Sequence, residues 1–249
     1  MAHRLGLASV SFRSHTPEEI LAAMRSAGLT HVEWGSDVHA PYRDERVLEE
    51  VAALTGAHGI KTSSYGTYFR LGVTPFEELE HYVSAARRLG TDHLRLWCGT
   101  KSGADMSASE CVRLTDECRR AAALAEREGV ILSMECHKST MTERPEDALA
   151  LMEAVASPHF RMYWQPFQWQ GEAEHLAYAR ALAPYVTHLH VFHWRGTGRY
   201  PLADAVPAWR SYLKTLGGER TLLLEFMPDD ALATLPAEAE ALRAIAAEG

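Results

Sequence analysis

One cycle recurs along the whole chain: a short apolar strand closing on polar or aromatic residues, then a helical segment, then a glycine or proline stop. Strands separated by helices are built for parallel pairing, because a parallel neighbour can be reached only through a long crossover. The expected strands are Leu5–Ser11, His31–Gly35, Ile60–Ser64, His93–Cys98, Val130–Cys136, Phe160–Gln165, Val186–Phe192 and Thr221–Phe226. Val130-Ile-Leu-Ser-Met and Thr221-Leu-Leu-Leu are almost unbroken apolar runs, which predicts a sheet covered on both faces. The 249 residues divided over eight units give about 31 each, close to a minimal strand–helix–strand period. The expected fold is therefore α/β, a single-domain (β/α)8 TIM barrel over residues 1–249, with a doubly wound open sheet as the alternative.

Local punctuation supports the alternation. Thr16-Pro-Glu-Glu19, Thr74-Pro-Phe-Glu77 and Ser107-Ala-Ser-Glu110 each set a hydroxyl three residues before a glutamate, the pattern of a capping box. Gly28, Gly59, Gly90 and Gly129 each follow a helical run, where a left-handed cap is expected. Substrate enclosure is expected from the loops Tyr65–Val73, Cys98–Met106 and Phe192–Ala205.

Composition narrows the partners. Twenty-five Lys+Arg against 33 Asp+Glu leave a formal charge of −8, a field that repels polyanions, so nucleic acid is not expected. No apolar run approaches the roughly 20 residues that span a bilayer, so no membrane partner is expected and the chain reads as cytoplasmic. Cys98, Cys111, Cys118 and Cys136 form no C-x-x-C pair and read as free, buried thiols.

In such barrels chemistry is built at the C-terminal ends of the strands. The fifth strand ends Ser133-Met-Glu135-Cys-His137, the sixth Tyr163-Trp-Gln165-Pro-Phe-Gln168, the seventh His188-Leu-His190-Val-Phe-His193 and the eighth Leu224-Glu225-Phe-Met-Pro228. Strand alternation sets Glu135 on one face with Ser133, and His190 with His188. If these faces point inward, two carboxylates and an imidazole converge at the barrel mouth. Two buried carboxylates need a cation or a proton between them, and oxygen donors with one imidazole suit Mn²⁺, Mg²⁺, Co²⁺ or Zn²⁺. His188, deeper in its strand, reads as a hydrogen-bonded core residue, and Trp164, opposite in parity to Gln165, as packing between barrel and helices.

The ordered set Met134-Glu-Cys-His137, Trp164-Gln-Pro-Phe-Gln168, His188-Leu-His-Val-Phe-His193 and Leu224-Glu-Phe226 resembles the xylose isomerase-like TIM barrel superfamily, the sugar phosphate isomerase/epimerase type. Val32-Glu-Trp34 and Leu94-Arg-Leu-Trp97 agree with it. The resemblance implies one divalent ion held by Glu, Asp, His and Glu on successive strand ends, with Glu135, His190 and Glu225 in the first, third and fourth places. At the second place the family's Asp-x-x-His is replaced by Gln165 and Gln168, so only a carbonyl oxygen is offered and weaker binding is expected.

The implied activity is a metal-assisted isomerase or epimerase of a sugar or polyol, in which Glu135 and Glu225 move a proton next to a carbonyl through an enediolate. A dehydratase of a keto-polyol such as an inosose would use the same proton abstraction. A barrel that binds sugars without turnover is a third reading, carried by the two glutamines. Glu33, Trp97, His137, Gln168, His193 and Arg195 are the expected substrate contacts on a small hydroxylated ligand, and homo-oligomerisation is left open. The superfamily's DNA-repair branch carries further histidines on the third and fourth strands, where this chain has Ser63-Ser-Tyr65 and Leu96-Trp-Cys98, so that branch is rejected.

Overall fold

Leucine, valine, methionine and tryptophan at alternate strand positions decide how the sheet is covered. The computed structural model describes residues 3–247, and the outermost positions of the expected 1–249 unit lie outside the described residues. Val32 and Trp34 of β2 (His31–Gly35), Leu94 and Leu96 of β4 (His93–Cys98), and Leu132 and Met134 of β5 (Ile131–Glu135) are fully buried. Met162 and Trp164 of β6 (Phe160–Trp164), Leu189 and Val191 of β7 (Val186–Val191), and Leu222 and Leu224 of β10 (Thr221–Leu224) repeat the pattern. Burying one such side chain is worth roughly 1.5–3 kcal/mol, so this outward layer is a main driving force for folding.

With β1 (Arg4–Ala8) and β3 (Lys61–Leu71), these strands close into a parallel barrel in the order β1-β10-β7-β6-β5-β4-β3-β2. Closure is made where Leu5 pairs with Leu222 and Leu7 with Leu224. A two-stranded ribbon, β8 (Trp194–Arg195) and β9 (Gly198–Arg199), stands on the loop after β7. The helices are α1 (Pro17–Ser26), α2 (Glu45–Ala57), α3 (Glu78–Arg88), α4 (Ala108–Glu128), α5 (Pro145–Val155), α6 (Glu172–Leu182), α7 (Val206–Leu216) and α8 (Leu235–Ala246). Trp164 packs edge-on against Trp209 of α7, with ring centroids 5.9 Å apart, as its strand parity predicts. Among the described residues no helix is long and apolar enough to cross a membrane.

Capping boxes form at Thr16 and Ser107, and Gly28, Gly59, Gly90 and Gly129 all adopt positive φ. Thr74 does not cap α3. Its hydroxyl accepts the Arg70 N–H at 3.0 Å, and the helix begins later, at Glu78. The expected loop Tyr65–Val73 is likewise mostly strand, because β3 continues past the barrel and pairs again with β4 at Arg70 and Leu71 after a register shift. At the other end, Leu5–Ser11 is too long a strand: Ser9–Phe12 turns into a 3-10 helix. The four cysteines are free thiols, with Cys111 only partly buried.

The inward face is polar for most of its depth. Arg95, Ser133, Tyr163, His188 and Glu33 alternate with the outward leucines and methionines and are all buried. Tyr163 reaches across to donate to Ser64 at 2.6 Å, and His188 stacks on the Tyr163 ring with centroids 4.7 Å apart. His188 is thus a core residue. A polar interior of this kind is stable only if its groups satisfy one another, which sets up the site above it.

Candidate active site

His190, on the inward face of β7 and fully buried, lies at the centre. Its Nδ1 is 3.2 Å from Glu135 Oε1, 3.3 Å from Gln165 Oε1 and 3.5 Å from Glu225 Oε2. Glu135, His190 and Glu225 each present one ligand atom within 4.8 Å of the others. Gln165 is oriented for the same purpose. Its Nε2 donates to the Cys136 carbonyl at 2.9 Å, which turns the amide oxygen toward His190.

Beside this cluster, and lining the same cavity, lies a buried cation. Arg95 Nε is 3.2 Å from Glu33 Oε1, and its Nη1 donates to Glu135 Oε2 at 2.7 Å. Trp97 Nε1 donates to the same Glu135 oxygen. One oxygen of Glu135 is therefore committed to the wall, and Oε1 is the one turned to His190. Glu33 Oε1 also contacts His190 Nε2 at 3.3 Å, while Oε2 accepts from Ser64 at 3.1 Å. Gly66 makes this possible. A Cβ there would stand 2.6 Å from Glu33 Oε1 and 3.0 Å from Arg95 Nη2.

Burial and charge act in opposition on each group. Burial pushes the Glu33 carboxyl up, but Arg95 and His190 outweigh it and hold it at about 2. Glu135 is likewise pushed up by burial and drawn well below the usual carboxylate range by Arg95 and His190. Burial lifts Glu225 to about 7, with His190 opposing and Glu135 reinforcing the rise. Burial lowers His190, yet Glu225, Glu33 and Glu135 together raise it to about 10. Three carboxylates against Arg95 sum to −2, and a buried charge of that size must be offset. Protons on His190 and Glu225 do so, and a divalent cation beside neutral His190 would do the same. Three oxygen donors and one imidazole nitrogen, facing one point, fit such an ion.

A cavity of about 240 Å³ opens above the cluster, walled by Arg13, Tyr68, Trp97, His137, Gln168 and Phe226 among others. Arg13 is fixed there by Asp37 and by Tyr68, whose hydroxyl it reaches at 2.6 Å. Phe226 follows Glu225 with φ at 50°, a conformation that is strained for a bulky residue. Ser11 Oγ accepts its N–H at 2.9 Å, and Trp194 donates to its carbonyl at 3.2 Å. This grip fixes the direction in which the chain carries Glu225.

The expected contacts divide into three groups. Trp97, His137 and Gln168 wall the cavity over the cluster. His193 and Arg195 wall a neighbouring cavity instead, Arg195 from the ribbon β8–β9. Glu33 is not brought to the cavity: it has no exposed surface and both its oxygens are engaged, by Ser64 and His190. Arg95 was not anticipated as part of the site, although an arginine alternating with Leu94 and Leu96 on a covered strand must find carboxylates inside. Arg13 and Tyr68 carry no comparable signal, since a loop and a strand extension bring them together.

A family model described as xylose isomerase-like TIM barrel matches residues 21–245. Among solved structures, the probable 3-DHS dehydratase AsbF of Bacillus anthracis, involved in petrobactin synthesis, superposes with a TM-score of 0.80 at 18% identity, covering 98% of this chain and 99% of that one. A xylose isomerase-like TIM barrel protein of Mycobacterium smegmatis, in complex with magnesium, gives 0.71 at 16% identity over 99% and 97%. D-psicose 3-epimerase of Clostridium cellulolyticum H10, with D-tagatose, gives 0.70 at 12% identity over 96% and 97%. These likenesses establish the fold. No curated sequence matches the chain.

Proposed function

The chain belongs to the xylose isomerase-like TIM barrel family, and on that premise we propose that it is a metal-assisted isomerase or epimerase of a small sugar or polyol. The observation that carries the proposal is the convergence of Glu135, His190 and Glu225 within 4.8 Å beneath an open cavity, with the Gln165 carbonyl oxygen turned to the same point. These four residues would hold one divalent ion, Mn²⁺, Mg²⁺, Co²⁺ or Zn²⁺, which would polarise a substrate carbonyl and favour the enediolate.

The proton transfers fall to the chain's own carboxylates. Glu135 would turn Oε1 to the ion and take the proton from the carbon next to the carbonyl with Oε2, the oxygen that Arg95 and Trp97 keep ionised at the cavity wall. Glu225 reaches the cavity from the end of β10, three strands away from β5 around the barrel, and is suited to return a proton from a different side. Return to the same carbon from the opposite face epimerises it. Return to the neighbouring carbon isomerises the sugar. Trp97, Phe226 and Trp194 screen the reacting carbon from water, and His137 and Gln168 offer hydrogen bonds to hydroxyls. Glu33 takes the role of an orienting carboxylate: it accepts from His190 Nε2 and leaves Nδ1 for the ion.

The test is solvent deuterium incorporation into a panel of ketoses and inososes with each metal, in wild type and in Glu135→Gln and Glu225→Gln. Metal-dependent exchange lost in both variants is expected. Exchange that survives both substitutions would refute the assignment of the bases. An enone chromophore in place of exchange would replace the isomerase by a dehydratase.

A further inference from the structure

The loops after β6 and β7 enclose a second cavity, of about 280 Å³, beside the one above the ligand cluster. Gln168, Phe192 and Trp194 line both, so the two cavities adjoin along one wall. Each falls below the roughly 300–1,000 Å³ usual for small-molecule sites, and together they lie within it. Two ring-sized units joined by one linkage match this shape better than one monosaccharide.

The chemistry of the second cavity identifies the class of its occupant. Phe192, Trp194, Trp209 and Tyr212 form its apolar walls. Among the described residues the Arg195 guanidinium has no hydrogen-bond or ion-pair partner, and it lines this cavity together with Tyr212. Glu172 and Asp204 add two carboxylates to the same cavity. Two carboxylates beside one guanidinium disfavour a phosphate. Donors and acceptors distributed over aromatic walls suit a neutral ring whose hydroxyls both give and take hydrogen bonds and whose C–H faces pack on aromatic rings.

We infer that the cavity between the loops after β6 and β7 is a glycosyl subsite, and that the natural substrate is a glycosylated ketose or keto-polyol. The carbonyl-bearing unit sits over Glu135 and Glu225, and the second sugar sits against Trp194 and Arg195. The inference rests on the proposed reading of the first cavity as the place of the carbonyl.

The test compares affinities by calorimetry in the presence of Mg²⁺. D-Fructose is set against turanose, maltulose and isomaltulose, which carry the same glucosyl unit on different fructose hydroxyls. At least one disaccharide is expected to bind about tenfold or more tightly than D-fructose. Arg195→Ala, at an exposed position, and Ala208→Trp, which fills the second cavity from α7, should each bring that ratio below about threefold. Equal affinity for D-fructose and all three disaccharides in wild type would overturn the subsite, as would a ratio that survives both substitutions. Deuterium exchange into D-fructose is read separately: its absence with the affinity ratio intact would refute the proposed reaction and leave the subsite standing.

Discussion

Arg95 carries more of the site than its position in the sequence suggests. It is 3% exposed and joins Glu33 to Glu135, residues 62 and 40 positions away. Removing it leaves two buried carboxylates without their cation, so Arg95→Met should destabilise the fold by about 3–5 kcal/mol, read from urea unfolding. A loss under about 1 kcal/mol would mean that the pair is not buried as described. Glu33→Gln keeps the shape but removes the charge facing His190 Nε2, and should weaken divalent binding roughly 10–100-fold by calorimetry. Unchanged affinity would separate Glu33 from the ligand cluster. The convergence of Glu135, His190 and Glu225 was legible in the sequence because each stands at or just past the end of an apolar strand. Glu33 sits on the strand end that the sequence marks but is buried against His190 and Ser64, since parity tells the face of a strand and not the depth within the barrel. Arg95 escaped because its partners lie on other strands, where single-sequence periodicity carries no pairing information.

At the scale of elements, the local rules worked where one residue alone decides the outcome. Ser107 begins the longest helix, α4, by accepting from the Glu110 N–H, and Ser107→Ala should lower stability by about 0.5–2 kcal/mol. Thermal unfolding checks it, and no change in Tm would show that tertiary packing alone sets that helix end. The same three-residue spacing failed at Thr74, because β3 runs on to Leu71 and the Arg70 N–H takes the threonine hydroxyl first. The extension of β3 was invisible for a related reason. It depends on a register shift against β4, which is a relation between two strands and not a property of either. The ribbon β8–β9 is similar: it forms from two residues on each side, too short for any periodic signal, yet it carries Trp194 and Arg195, which line the second cavity.

For the molecule as a whole, eight strand–helix periods account for the chain, and the fold class was readable because every covered strand shows its outward apolar face. The interior is where expectation and structure part. A barrel of this size usually fills its axis with branched apolar layers. Here Arg95, Tyr163, His188 and His190 occupy it, and the lower polar layers support the upper ones. Part of the −8 formal charge is thereby concentrated around His190, where Glu33, Glu135 and Glu225 exceed Arg95 by two charges. The central claim is that this excess is matched by one divalent ion. Thermal unfolding of metal-free protein, titrated with Mn²⁺, Mg²⁺, Co²⁺ and Zn²⁺, tests it most directly. An ion present at a hundred times its Kd adds about 2.7 kcal/mol, which for a chain of this length raises Tm by roughly 5–11 °C. That rise, saturating at one ion per chain and lost in Glu225→Gln, is the predicted result; a Tm that none of the four ions moves would contradict it.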